Sequence, residues 1–529
     1  MADPITLDGA SLTPGEVVAV ARHGHPVTVA DAARDRVRQA RDRVRDVLEG
    51  DEAVYGLNTG FGDLVDTRIP REDVETLQTN LLRSHATGSG DPLDRELVRA
   101  MLVTRINALL TGHSGVRERL IDTLVAMLNE GVHPVVRSRG SLGASGDLAP
   151  LAHLALVLIG EGEAVLEPPG GGDGDRHPGD EALAAIGREP LTLAPKEGIA
   201  LINGTQLTVG IAALAVIDAE HLLQAADTAG ALTTEVTYST TANCDPALQA
   251  VRPHDGQATS AANVRALTTD SAVVESHRNC DRVQDAYAIR CLPQVHGAVR
   301  DAVAHLRTAV ETELNSATDN PLVFDADDVD DRASGTADAA VLSGGNFHGE
   351  PLALRLDYLV TALTELGAIS ERRTDRLLNP HVQEDHLPPF LARDPGTESG
   401  LMIAQYTAAA LLNECRGRHS PSMDNTPVSG GQEDHVSMSA TAAFHARATV
   451  ADVERIVAVE WLCGAEASRY LDDDLGLGRG TAAARDLLRE VVPPLEGDRP
   501  LHEDIDAVAA LVHDAVLGEV LADTGLEVA

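Results

Sequence analysis

Four long stretches after Asn203 constrain the fold more than any other feature of the chain. They read "LTVGIAALAVIDAEHLLQAADTAGALTTEV", "GAVRDAVAHLRTAVETELNSA", "PLALRLDYLVTALTELGAISERRTDRLL" and "VSMSATAAFHARATVADVERIVAVEWLCGAEASRYL". Each keeps apolar residues at helical spacing over many turns, whereas alternating apolar–polar runs are few. Aromatic residues make up only 2% of the chain, so the core is aliphatic and Ala-rich, which favours helices. The fold class is therefore mainly α. The 529 residues suffice for a large core and two regions: an N-terminal one (1–202), then a long helical bundle and a C-terminal helical region (203–529).

The N-terminal region carries helices too. "DAARDRVRQARDRVRDVLEG" places Ala33, Val37, Ala40, Val44, Val47 and Leu48 on one stripe and closes at Gly50. Residues 97–128 read as helices interrupted near "TGHSG". Two segments, "EPPGGGDGDRHPGDE" and "DADDVDDRASGTADA", read as solvated loops.

Charge excludes several functions. The chain carries 82 acidic against 42 basic residues, a net −40, and Lys196 is its only lysine. Such a field repels nucleic acid and anionic membranes. An acidic surface almost devoid of lysine resembles those of salt-adapted cytosolic proteins. In molar salt, where the Debye length is about 3 Å, the self-repulsion is screened. Cys244, Cys280, Cys291, Cys415 and Cys463 are odd in number, scattered and never in C-x-x-C pairs, which predicts reduced thiols and no zinc site. The start "MADPITLDGASL" has no secretory pattern, and no uninterrupted apolar run is long enough to span a bilayer. The expectation is a cytoplasmic protein with no membrane or nucleic-acid partner.

The chemistry centres on "GSLGASGDLAPLAH" at 140–153. Residues 148–159 are almost all apolar and predict a buried helix, with Asp147 as its cap and Pro150 in its first turn. Read alone, Gly143-Ala144-Ser145-Gly146 is a turn. It lacks the spacing of a hydrolase nucleophile elbow. A second reading exists: with no Cβ at Gly146, its nitrogen can approach the carbonyl carbon of Ala144. Attack there, with loss of two waters, closes Ala144, Ser145 and Gly146 into a 4-methylidene-imidazol-5-one ring.

The context favours the second reading. "VYGLNTGFGDL" (54–64), "SHATGSG" (84–90), "KEGIALINGTQ" (196–206), "QDAYAIRCLPQVHG" (284–297), "NSATDNPL" (315–322), "SGGNFHGEP" (343–351) and "QEDHVSM" (432–438) accompany the ring segment. Over nearly its whole length the chain resembles the aromatic amino acid ammonia-lyases that build this ring, and their histidine-acting branch in particular. The resemblance implies a carbon–nitrogen lyase that converts L-histidine to trans-urocanate and ammonia, with no external cofactor and no metal. It also implies a homotetramer in which each pocket gathers residues from three chains.

The resemblance assigns roles. Tyr55 is the base for the β-proton; by itself it is an aromatic in a Gly-punctuated loop. Arg290 takes the substrate carboxylate in a guanidinium fork, with Tyr287 on the same helical side. Asn203 bonds the ring or the leaving amine, although Asn-Gly alone marks only a turn. Phe347 packs on ring or substrate, or is plain core. His85, Gln432 and Glu433 contact the substrate side chain, and a carboxylate beside an imidazole favours histidine over a phenyl-bearing substrate. On residues alone, Glu433 also reads as an acid at a helix start. The other Gln-Glu-Asp-His tetrad, at 383–386, runs into Pro388-Pro389 and reads as an exposed loop. Neither tetrad has the H-E-x-x-H spacing of a metal site.

Overall fold

Helices carry most of the chain, as their sequence spacing predicts. The structure is a computed structural model and describes all residues except 1–2, 51–53, 55, 58, 60–68, 71–72, 169–171, 173, 279, 331–333 and 424–425. The helices that matter for the site are α1 (Asp31–Glu49), α2 (Arg95–Leu110), α3 (Leu148–Leu158) and α4 (Glu197–Ile202). The four long stretches become α5 (Gln206–Val236), α6 (Leu292–Leu314), α7 (Glu350–Leu378) and α8 (Ser439–Ala467). At 1.5 Å per residue, the 31 residues of α5 span about 46 Å.

The chain gathers into two compact units, each made of three stretches. Met1–Leu214, Leu306–Leu356 and Ser420–Phe444 form the first; Ala215–His305, Asp357–His419 and His445–Ala529 form the second. Among the described helices α5 is long and apolar enough to cross a membrane by length and composition, but 78% of that window is buried, as in a core helix.

In the first unit α1 buries Ala33, Val37, Ala40, Val44 and Val47 and stops at Gly50, as its stripe predicts. Val44 and Val47 pack with Val54, Leu57, Val323, Ala339 and Val341. This cluster packs Val54 and Leu57 against a small antiparallel sheet of Leu322–Asp325, Ala339–Leu342 and Ser334–Gly335. The two segments expected as loops are therefore partly strands. Ser334–Gly335 belongs to the acidic one, and Asp175–Pro178 of the Gly-rich one pairs with Glu163–Leu166. Ladder pairing satisfies the backbone there while the polar side chains stay in water, a solution that composition does not reveal.

Candidate active site

The ring segment lies directly before α3, whose Ala149, Leu151, Ala152, Leu154, Ala155, Val157 and Leu158 are buried. Two glycines bend the chain into place, Gly143 at φ +68° and Gly146 at φ +76°. A Cβ on Gly146 would lie 2.3 Å from the carbonyl oxygen of Gly204 and 2.5 Å from its nitrogen. A Cβ on Gly143 would lie 2.3 Å from the hydroxyls of both Ser437 and Ser439. Only glycine permits either approach.

Distant segments hold this loop. Ser437 Oγ and the Gly349 amide each donate to the Gly143 carbonyl at 3.0 Å, and the Met438 amide donates to that of Leu142 at 2.7 Å. On the other side the Asp147 amide donates to the Gly204 carbonyl at 2.7 Å. Asn203 Nδ2 donates to the Ser145 carbonyl at 2.7 Å. Asn203 is held from behind, since Arg105 Nη1 donates to its carbonyl at 3.1 Å and to Gln206 Oε1 at 2.7 Å. Burial pushes the Arg105 guanidinium down to about 10, with the charge of Asp319 acting the other way.

Asp147 does not cap α3. Its side chain makes no cap bond; it is fully buried and accepts from Ser141 Oγ at 2.7 Å, the Thr208 amide at 2.9 Å and Thr208 Oγ1 at 3.2 Å. Burial raises its pKa against these bonds. Glu313, which accepts from Thr205 Oγ1 at 2.5 Å, is raised by burial and further by the charge of Asp147. Two carboxyls of raised pKa thus lie behind the ring loop.

In front of it, Ser145 Oγ donates to Glu433 Oε1 at 3.0 Å. Glu433 is no helix-start acid: α8 begins at Ser439, and Glu433 instead pairs its backbone with Val428. His85 closes the helix Val74–His85. Its Nδ1 faces the Leu81 carbonyl at 2.8 Å, so Nδ1 carries the proton and Nε2 keeps a lone pair. Burial lowers the His85 pKa, while the charge of Glu433 opposes that shift. Phe347 is half-buried in the turn before α7. Its neighbour His348 donates from Nε2 to the His435 carbonyl at 3.2 Å, which ties the Phe347 segment to that of Glu433. Gln432 is exposed.

Ala144, Ser145, Gly146, Asn203, Glu433 and His85 therefore come together in the first unit. Tyr55 lies outside the described residues. Tyr287 and Arg290 belong to the second unit, in the short helix Tyr287–Arg290. There the Arg290 guanidinium carbon sits 4.5 Å over the Tyr287 ring, as their spacing predicts, and Tyr287 is 72% exposed. Among the described residues no carboxylate comes within 4.0 Å of the Arg290 guanidinium. Among the described residues no group of His, Cys, Asp and Glu is placed to hold a metal.

The sequence did not point to Arg105 or to the buried pair Lys196–Asp319, 2.9 Å apart. The signals were there: an arginine inside the apolar run "MLVTRINALL", and the chain's one lysine.

Known proteins share this sequence pattern and this fold. A profile of aromatic amino acid lyases matches residues 12–490. A protein of Halobacterium salinarum named probable histidine ammonia-lyase is 65% identical over 517 residues, 97% of each chain. The crystal structure of histidine ammonia-lyase from Trypanosoma cruzi superposes with a TM-score of 0.89 at 39% identity, covering 99% of this chain and 96% of that one. A tyrosine aminomutase from Streptomyces globisporus superposes with a TM-score of 0.91 at 35% identity over the full length of both. The fold thus serves more than one amino acid, so the choice of substrate belongs to the site residues. The chain belongs to the aromatic amino acid lyase family.

Proposed function

We propose that this protein eliminates ammonia from L-histidine to give trans-urocanate, the opening step of histidine breakdown. The observation that carries this reading is the Glu433 carboxylate, 3.0 Å from Ser145 Oγ and close enough to His85 for its charge to act there. A carboxylate and a neutral imidazole nitrogen make a polar end for the pocket. An imidazole substrate pairs with both, whereas a phenyl ring leaves them buried and unpaired.

Residues 144–146 fit closure into the 4-methylidene-imidazol-5-one ring. Gly146 carries no Cβ to hinder its nitrogen, its φ of +76° and close packing on Gly204 keep that position glycine, and Asn203 already grips the Ser145 carbonyl. Once formed, the ring supplies an electrophile that turns the substrate amine into a competent leaving group. The remaining work falls to the chain's own side chains. Tyr55 takes the β-proton; a free tyrosine titrates near pH ~10, so the site must favour its phenolate. Arg290 binds the substrate carboxylate and Tyr287 lines the same spot. Phe347 and Gln432 complete the wall. Residues 1–202 carry the ring loop, and 203–529 supply the bundle.

Tyr287 and Arg290 serve a neighbouring copy's pocket in this reading. The 72% exposure of Tyr287, whose ring lies 4.5 Å under the Arg290 guanidinium carbon, supports it, and the assembly it implies is a homotetramer built on the bundle. The enzyme works in the cytoplasm at high salt.

The test is to mix the protein with L-histidine in molar salt and follow the near-ultraviolet absorbance of a conjugated acrylate. A peptide spanning 144–146 that is lighter by two waters is the second expected result. An unmodified peptide together with no absorbance change at any salt concentration overturns the reading in favour of a helical binding protein.

A further inference from the structure

The short helix Tyr287–Arg290 has four residues. A helix this short has no stability of its own, so its direction must be imposed from outside. The second unit imposes it at three points. Just before the helix, the Asp285 carboxylate accepts from the Thr240 amide at 2.9 Å and from Arg282 Nη1 at 3.2 Å. Arg282 also donates to the Thr237 carbonyl at 3.0 Å and pairs with Glu384. The second oxygen of Glu384 accepts from Arg376 Nη2 at 2.7 Å. In the middle, the Ala288 carbonyl accepts from Arg373 Nη1 at 3.4 Å, and Arg373 is itself forked onto the buried Glu460. At the far end, Asn243 Nδ2 donates to the carbonyls of Ile289 at 3.1 Å and Arg290 at 3.2 Å. Two carbonyls on one side fix the amide orientation of Asn243, since its oxygen would be repelled there.

Glu384 belongs to the tetrad at 383–386, which the following prolines suggested was an exposed loop. Its side chain is only 12% exposed, and His386 in the same tetrad rests 4.4 Å from the ring of Tyr238, which also stacks on His277 at 3.9 Å. Glu384 turns inward and completes an ion triad with Arg282 and Arg376, while Asp385 beside it stays exposed.

We propose that Asn243 and Glu384 are positioning residues for Arg290. They clamp the short helix from its two ends, so that the guanidinium is already aimed when the substrate carboxylate arrives. Preorganised charge of this kind binds without paying to order itself. The proposal rests on the reading of Arg290 as the carboxylate-binding group.

The test uses two unreactive ligands and the whole protein in molar salt. 3-(Imidazol-4-yl)propionate keeps the carboxylate and lacks the amine; histamine keeps the amine and lacks the carboxylate. Their affinities are measured by calorimetry for the native protein and for Asn243→Asp, Glu384→Ala and Arg290→Ala. Asn243→Asp keeps the shape but loses the donor. The expected result is that the first two variants weaken the propionate about tenfold and leave histamine unchanged, in the pattern of Arg290→Ala. Equal weakening of both ligands overturns the proposal, because it marks a general structural role. Unchanged propionate binding in the two clamp variants, with a loss in Arg290→Ala, also overturns it and leaves Arg290 in place. No loss in Arg290→Ala removes the reading of Arg290 and the clamp with it.

Discussion

Ser145 Oγ and Glu433 Oε1 lie 3.0 Å apart across 288 positions of sequence. The contact depends on turns set elsewhere. Ser437 and Met438 bond the carbonyls of Gly143 and Leu142, so the segment that carries Glu433 is pinned to the loop that carries Ser145. The groups assigned to reaction and to recognition are therefore held on one framework, and a change in one segment moves the other.

Glu433→Gln removes the charge while keeping the length. A charge-assisted hydrogen bond to imidazole becomes a neutral one, and kcat/KM for L-histidine falls about a hundredfold. The 144–146 peptide still loses two waters, because the main-chain grips on the loop are untouched. Steady-state kinetics and peptide mass measure the two effects separately. A variant with native kcat/KM removes Glu433 from substrate recognition.

Much of the fold is legible because helices repeat locally. The stripe from Ala33 to Val47 and the four long stretches need only their own spacing to be read, and α1, α5, α6, α7 and α8 follow. Long-range pairing is not local. Nothing around Asp175 or Ser334 announces a strand, since its partner lies elsewhere in the chain. The role of Asp147 escapes for the same reason: as a short acid before a helix it reads as a cap, and only the fold brings Thr208 and Ser141 to it. The family's motifs single out Asn203 and Glu433, and the fold brings both within hydrogen-bond reach of Ser145. Arg105, Lys196 and Asn243 act through burial and main-chain carbonyls, which leave no motif.

Gly146→Ala tests the ring loop. The new Cβ meets the Gly204 carbonyl oxygen at 2.3 Å, on backbone that cannot step aside, and φ +76° strains any residue with a side chain. The backbone strain alone costs about 1–3 kcal/mol. The variant shows a lower Tm and a 144–146 peptide of unmodified mass. A native Tm together with a dehydrated peptide contradicts the close approach.

Acid stability depends on His133. Its Nε2 donates to Glu167 at 2.8 Å, and burial pushes its pKa down to about 4, with the Glu167 bond acting the other way. In the unfolded chain the same imidazole titrates near pH ~6.5. The unfolded state therefore binds the proton first as pH falls, and stability declines between those two values. The contribution is fully present above the unfolded pKa and lost by the folded one, about 3 kcal/mol in total. Glu167, whose own pKa is lowered, adds loss of the same sign at the acid end. His133→Asn flattens the fall of Tm between pH 6.5 and 4; an unchanged slope assigns the acid sensitivity to other groups.

Lys196 reports on the salt dependence of the fold. It is the chain's one lysine, fully buried, and its ammonium donates to Asp319 at 2.9 Å. Removing one partner of such a pair strands the other charge, at about 3–5 kcal/mol, so Lys196→Met lowers the Tm steeply even in molar salt. In the native chain, burial shields the amine from acylating reagents. Net charge −40 is screened within about 3 Å at molar salt and acts over about 30 Å at 0.01 M, where self-repulsion opposes the compact state. An activated ester in molar salt therefore leaves Lys196 unmodified, and transfer to dilute buffer brings labelling of that residue as the fold opens. Peptide mass reads both states, and Lys196 that stays protected at low salt shows that the fold withstands its own charge.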